Sequence, residues 1–207
     1  MSSEQRFYTK TVSIRTMKIL SICGSPRKGN SETIINRLKE FFEAEGIENE
    51  IILLREKKIQ RCEGCVEYCN HNLECKHNDD MADIRKRMSE ADGYVFVMPN
   101  YFAMPPGLFK DFVDKCSIFY TAKTDLSSKK ALVIIVGTDQ EFIDACAAHV
   151  AEWFCGTLKI NVIDKKSFLS RSELEGNYND IFENGMNLNI EEELKESFKK
   201  LILGLQK

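Results

Sequence analysis

The chain predicts an α/β fold: a doubly wound, five-stranded parallel sheet in the order 2-1-3-4-5, with helices on both faces. Three observations carry this. Short apolar runs alternate five times with helical patterns along the 207 residues. The runs are apolar almost throughout, as in strands covered by helices on both faces, and do not alternate with polar residues. Right-handed crossovers leave few arrangements for such repeats, and 2-1-3-4-5 suits five strands.

The elements follow in order. KILSIC (18–23) is the first strand. In the next segment Ile34, Ile35, Leu38, Phe41 and Phe42 recur on one helical face. Ser31 is placed to cap this helix and Gly46 to end it. EIILL (50–54) is the second strand. A helix near 79–90 turns Met81, Ile84 and Met88 inward, with Asp79 or Asp80 as its cap. YVFVM (94–98) is the third strand, stopped by Pro99. A helix over 106–119 carries Leu108, Phe109, Phe112 and Val113, with Pro106 tolerated in its first turn. ALVIIV (131–136) is the fourth strand, and a helix near 140–154 uses Phe142, Ile143, Cys146, Val150 and Trp153. INVID (160–164) is the fifth strand. After a polar stretch, Leu194, Phe198, Leu201, Ile202 and Leu205 mark the last helix.

At about 150 residues per domain, this length predicts one domain with an extension or insertion. The pattern along the chain places the domain at 17–207, the extension at 1–16 and a cysteine-rich loop at 55–78. Hydrophobic residues make up 43% and charged residues 29%, which excludes a wholly disordered chain. A net charge of −3 without a basic stripe argues against nucleic acid. The apolar runs are far shorter than the ~20 residues that span a bilayer, so no membrane partner is expected. The N-terminus lacks the apolar core of a secretory signal, so a cytoplasmic location is expected.

Ligands of this sheet type bind beyond the C-terminal strand ends, so the loops there carry the candidates. The first is Gly24-Ser25-Pro26-Arg27-Lys28-Gly29-Asn30-Ser31, between strand and helix. Helix N-termini favour anions. Ser25, Asn30, Ser31 and Thr33 offer donors and Arg27 a charge, which suits a phosphate monoester. The spacing is neither a Walker A loop nor G-x-G-x-x-G. The other reading is a polar turn with a capping serine. The second loop runs from Pro99 to Gly107 and contains Tyr101 and Phe102. It can present backbone groups and an aromatic face to a flat heterocycle, or plug the sheet end. Together the loops favour a flat, phosphorylated cofactor.

GSPRKGNSET, ADGYVFVMPNYF and GLFKDFVDKC resemble the NADPH-dependent FMN reductase family of flavodoxin-like proteins over about residues 17–136. The resemblance implies FMN, with its phosphate on Ser25, Arg27, Asn30, Ser31 and Thr33. It implies that Pro99, Asn100, Tyr101, Phe102, Ala103 and Met104 cup the isoalloxazine. After strand four relatives often carry a glycine-rich loop against the flavin; Gly137 and Thr138 take that place here, with one glycine only in Gly137–Gln140. Residues 165–190 match the family poorly. No catalytic acid or base is implied, because hydride passes directly from NAD(P)H to the flavin.

Of the eight cysteines, Cys23, Cys116, Cys146 and Cys155 lie among apolar residues and read as small buried hydrophobes. The other four, Cys62-x2-Cys65-x3-Cys69-x5-Cys75, fall within fourteen residues. In a cytosolic chain such a cluster reads as metal-binding or catalytic. The thiolates suit a [4Fe–4S] cluster or zinc, and the remaining reading is a loop of reduced thiols. Iron–sulfur flavoproteins, a branch of the same family, carry a compact cysteine motif here, usually with two residues between the second and third cysteines.

The expected activity is therefore an NAD(P)H-dependent FMN reductase or an iron–sulfur flavoprotein passing electrons through FMN. The alternatives are an electron-transfer or redox-sensing module without NAD(P)H turnover, and a zinc-stabilised binding protein. A redox protein is a candidate partner, and the resemblance implies a homodimer or homotetramer.

Overall fold

The computed structural model describes residues 16–170, 176–182 and 187–206. The predicted extension at 1–16 lies outside them except for its last residue.

All strands are parallel, in the order β2-β1-β3-β4-β5. They are β1 (Lys18–Cys23), β2 (Glu48–Leu53), β3 (Gly93–Pro99), β4 (Lys130–Gly137) and β5 (Asn161–Leu169). The helices are α1 (Asn30–Ala44), α2 (Val66–Asn72), α3 (Met81–Glu90), α4 (Gly107–Lys115), α5 (Ser117–Thr121), α6 (Gln140–His149) and α7 (Asn187–Leu205). The predicted sheet and its order are thus observed.

Strand side chains alternate between two cores, as the period of two requires. Ile19, Cys23, Val95, Val97, Leu132, Ile134 and Val136 face α1 and α7, meeting Leu38, Phe42, Leu194 and Phe198. Leu20, Ile22, Tyr94, Phe96, Met98, Val133 and Ile135 face the opposite side, meeting Met88, Phe109, Phe112 and Phe154. The four scattered cysteines are all buried. Burial raises the thiol of Cys23 to about 11 and those of Cys146 and Cys155 to about 12, so they stay protonated.

Several element boundaries differ from expectation. The helix expected over 106–119 divides at Cys116, whose N–H is shared between the carbonyls of Phe112 and Val113. The expected helix at 140–154 widens into a π-turn over Val150–Cys155. β5 runs on to Leu169, because Lys165 and Lys166 belong to an edge strand where charge is tolerated. Ser31 does not cap α1: the helix begins at Asn30, with Gly29 before it.

Tyr94 is fully buried, and its hydroxyl donates to the Met88 carbonyl at 2.6 Å, tying β3 to the end of α3. Tyr94→Phe leaves that carbonyl without its partner. It is expected to cost about 1–2 kcal/mol by urea denaturation. An unchanged midpoint would show that the bond contributes nothing.

Candidate functional site

Main-chain bonds join the C-terminal strand ends into one rim. Gly24 N–H donates to Val97 at 2.9 Å, Asn100 N–H to Val136 at 2.7 Å, and Ser170 N–H to Gly137 at 2.8 Å. The first loop and the 99–104 loop are therefore neighbours. Ser25 folds the first loop on itself: its hydroxyl donates to the Arg27 carbonyl at 2.7 Å and accepts from the Arg27 N–H at 3.3 Å. Arg27 then bridges the loops, with Nη1 donating to the Tyr101 hydroxyl at 3.0 Å. Its guanidinium also lies 4.1 Å from the centre of the Tyr178 ring.

The remaining phosphate candidates divide. Ser31 is buried in the first turn of α1 and, with Ser25, Arg27 and Gly29, lines the small hollow between the loops. Asn30 also lines it and is buried, but its side-chain amide is engaged: Nδ2 donates to Asp180 and Oδ1 accepts from the Ile181 N–H. Thr33 likewise donates to Asn179. The 176–182 segment, which carries no sequence motif, thus engages three of the five predicted phosphate residues: Arg27, Asn30 and Thr33.

The second loop is a tight turn. Tyr101 and Met104 exchange main-chain bonds of 2.8 and 3.1 Å, with Phe102 and Ala103 between them at φ of 53° and 59°. Two successive non-glycine residues in the left-handed region store strain of the kind found at ligand clamps. The turn holds Phe102 out at 95% exposure. Beneath it Pro99 is buried, and Asn100 Oδ1 is buried without a partner. Gly137 is required at the end of β4: a Cβ there would stand 2.5 Å from Ile143 Cγ2 and 3.1 Å from Asn100 Cβ. Thr138, next along, is exposed. Met104 and Pro105 also edge an apolar cavity of about 660 Å³ between α4–α5 and α6, lined by Phe109, Tyr120, His149 and Trp153.

The donor set suits a phosphorylated heterocycle: a helix N-terminus with Arg27 and Ser31, and an orphaned acceptor at Asn100. The hollow itself measures about 10 Å³, about the room of one water, so admitting a phosphate requires its walls to move apart.

The cysteine loop has a pinned neck. Lys58 N–H donates to Asp80 at 2.7 Å and Gln60 N–H to Asp79 at 2.8 Å. Inside it, α2 is a seven-residue helix with no buried residue, which left no apolar period to read. Cys65 heads α2 and Cys69 follows one turn later, their sulfurs 3.8 Å apart. Burial pushes the Cys69 thiol up, as do its bond to Cys65 and the charges of Cys65, Cys75 and Cys62. Cys62 is exposed, and among the described residues no three ligating side chains converge on one metal position. As placed, the four thiols therefore do not form a metal centre. His77, partnered through Nε2 by Glu63 at 3.1 Å, has Nδ1 buried with no hydrogen-bond partner.

Residues 17–174 match the family model described as NADPH-dependent FMN reductase. The chain belongs to that family. An iron–sulfur flavoprotein of Archaeoglobus fulgidus is 31% identical over 123 residues, covering 59% of this chain and 63% of that protein. One from Methanocaldococcus jannaschii is 36% identical over 100 residues, covering 48% of this chain and 51% of its own. The chain thus spans between half and two thirds of these relatives' lengths. In fold it is similar to RosB with a bound 8-demethyl-8-formylriboflavin-5′-phosphate, at TM-score 0.69 and 14% identity, covering 92% of this chain and 79% of that one. No helix of the described residues is long and apolar enough to cross a membrane.

Proposed function

We propose that this chain is an FMN-dependent oxidoreductase that takes electrons from NAD(P)H. The observation that carries the reading is the Arg27–Tyr101 bond, which joins the anion-type loop and the strained aromatic turn at one sheet edge. The family description and the flavin phosphate in the RosB complex agree with it.

FMN supplies the hydride and single-electron chemistry, and the chain supplies binding and orientation. Ser25 fixes the loop, and Arg27 and the head of α1 hold the phosphate. Charge-assisted bonds from the Arg27 guanidinium to the phosphate are stronger than bonds between neutral groups. Pro99–Met104 presents main-chain groups and the Tyr101 and Phe102 rings to the heterocycle, with Asn100 below. Gly137 keeps β4 close to that turn, and Thr138 completes the rim. The mostly apolar groove beside Met104 and Pro105 supports an apolar electron acceptor.

The test is FMN titration of the apo-protein. Arg27→Ala is expected to weaken FMN by about 1.5–3 kcal/mol, the worth of hydrogen bonds to a charged group. An unchanged dissociation constant would refute the phosphate role of Arg27.

A second reading adds a [4Fe–4S] cluster on Cys62, Cys65, Cys69 and Cys75. It is supported by the names of the relatives and by four thiols on one pinned loop. Because those thiols do not converge as placed, the loop would have to close around the cluster. Iron and sulfide assays on anaerobically purified protein decide between about four irons per chain and none.

A further inference from the structure

We propose that Asp180 is a positioning residue for the flavin-phosphate loop, acting through Asn30. The proposal rests on the FMN reading above and adds a wall from a segment that no sequence motif marked.

Asp180 is buried at 5% exposure. Its Oδ1 accepts from Asn30 Nδ2 and from Ser170 Oγ, both at 2.8 Å. The return bond runs from the Ile181 N–H to Asn30 Oδ1 at 2.9 Å. Asn30 is therefore held at both ends of its amide. Its main-chain N–H donates to the Tyr178 carbonyl at 2.7 Å. That approach is close because residue 29 is glycine: a Cβ there would meet the Tyr178 oxygen at 2.4 Å. Tyr178 also lies under the Arg27 guanidinium.

These contacts grip the loop where α1 begins. A buried carboxylate is costly unless it is bonded, and its hydrogen bonds are stronger than those of a neutral group. Spent on Asn30, they fix the turn from Gly29 into α1, and with it the aim of the Ser31 end of the helix. The Asn30 amide then serves as a brace within the loop and not as a phosphate ligand. Asp180 stands behind it and touches neither phosphate nor flavin.

The prediction is selective for the phosphate. Apo-protein is titrated with FMN and with riboflavin, which carries the same ring without the phosphate. Asp180→Ala is expected to raise the FMN dissociation constant about tenfold or more while riboflavin stays within about twofold. Asp180→Asn keeps an Oδ1 acceptor for both donors and is expected to restore FMN binding. Asn30→Ala removes the brace from its other end. It is expected to show the same selective loss, and it serves as the test should Asp180→Ala fail to fold.

Wild-type FMN affinity in both alanine variants would overturn the proposal. So would parallel weakening of FMN and riboflavin, which a merely structural role produces. Wild-type protein that binds FMN and riboflavin alike would overturn the phosphate reading itself and this proposal with it. Clear FMN preference in wild type with no selective loss in the variants would overturn this proposal alone.

Discussion

Lys115→Met is expected to lower stability at pH 7 by about 3–5 kcal/mol, because it leaves a buried carboxylate without its cation. The Lys115 and Asp79 side chains are each 1% exposed and bonded to one another. Asp79 also accepts from the N–H groups of Gln60 and Met81 at 2.8 and 3.1 Å. Burial alone would push this carboxyl up, but the Lys115 bond and the two N–H groups outweigh it and hold it below the ordinary value.

The sign of the pH dependence follows. A depressed folded pKa stabilises fully above the unfolded value of about 3.9, and the contribution is lost as pH falls through the folded one. In Lys115→Met burial acts with less opposition and the carboxyl rises. The penalty is then largest near neutral pH and shrinks as acid protonates Asp79. Urea denaturation at pH 7 and at about pH 3, below the ordinary carboxylate value, reads both effects. A loss below about 1 kcal/mol, or a gap between wild type and variant that does not narrow in acid, would refute the account. Replacing both partners, as in Lys115→Met with Asp79→Leu, removes the stranded charge. Because Asp79 also accepts from the Gln60 and Met81 N–H groups, stability left unrecovered reflects the loss of those two bonds.

Which parts were legible follows from how locally each is encoded. The sheet was readable because β1, β3 and β4 are buried on both faces, so their composition announces them. β5 was read short because its outer half carries Lys165 and Lys166, which look like loop. The division at Cys116 has no proline or glycine to announce it. The two candidate cofactor loops are contiguous segments, and each is legible from its own residues. The bond between Arg27 and Tyr101 spans 74 positions, and nothing in either loop signals it. Asp180 reaches Asn30 across 150 positions from a polar stretch that looks like any connecting loop. A donor beside a helix start looks the same in sequence whether it faces an anion or, as Asn30 does, a carboxylate from a distant segment. The burial of Asp180 has no signature in a loop without periodicity.

Phe109→Ala is expected to cost about 3–5 kcal/mol, or roughly 6–20 °C in melting temperature, and to weaken FMN as well. The Phe109 ring is fully buried, with centroids 5.3 Å from Phe112, 5.8 Å from Phe154 and 6.1 Å from Phe96. It is also the floor under the first loop. A Cβ on Gly24 would lie 2.9 Å from Phe109 Cδ2, so loop and ring are in direct contact. Truncating the ring opens a cavity under the point where the chain leaves β1 for the phosphate loop. Phe112→Ala provides the comparison. Phe112 belongs to the same aromatic cluster, yet it is not among the atoms nearest Gly24. Both variants are expected to melt at lower temperature by similar amounts, while only Phe109→Ala weakens FMN beyond what the stability change explains. Equal FMN affinities in the two variants would show that the loop holds its shape without the ring beneath it. A selective loss in Phe109→Ala would show that the core on the α4 side of the sheet extends its control into the cofactor site.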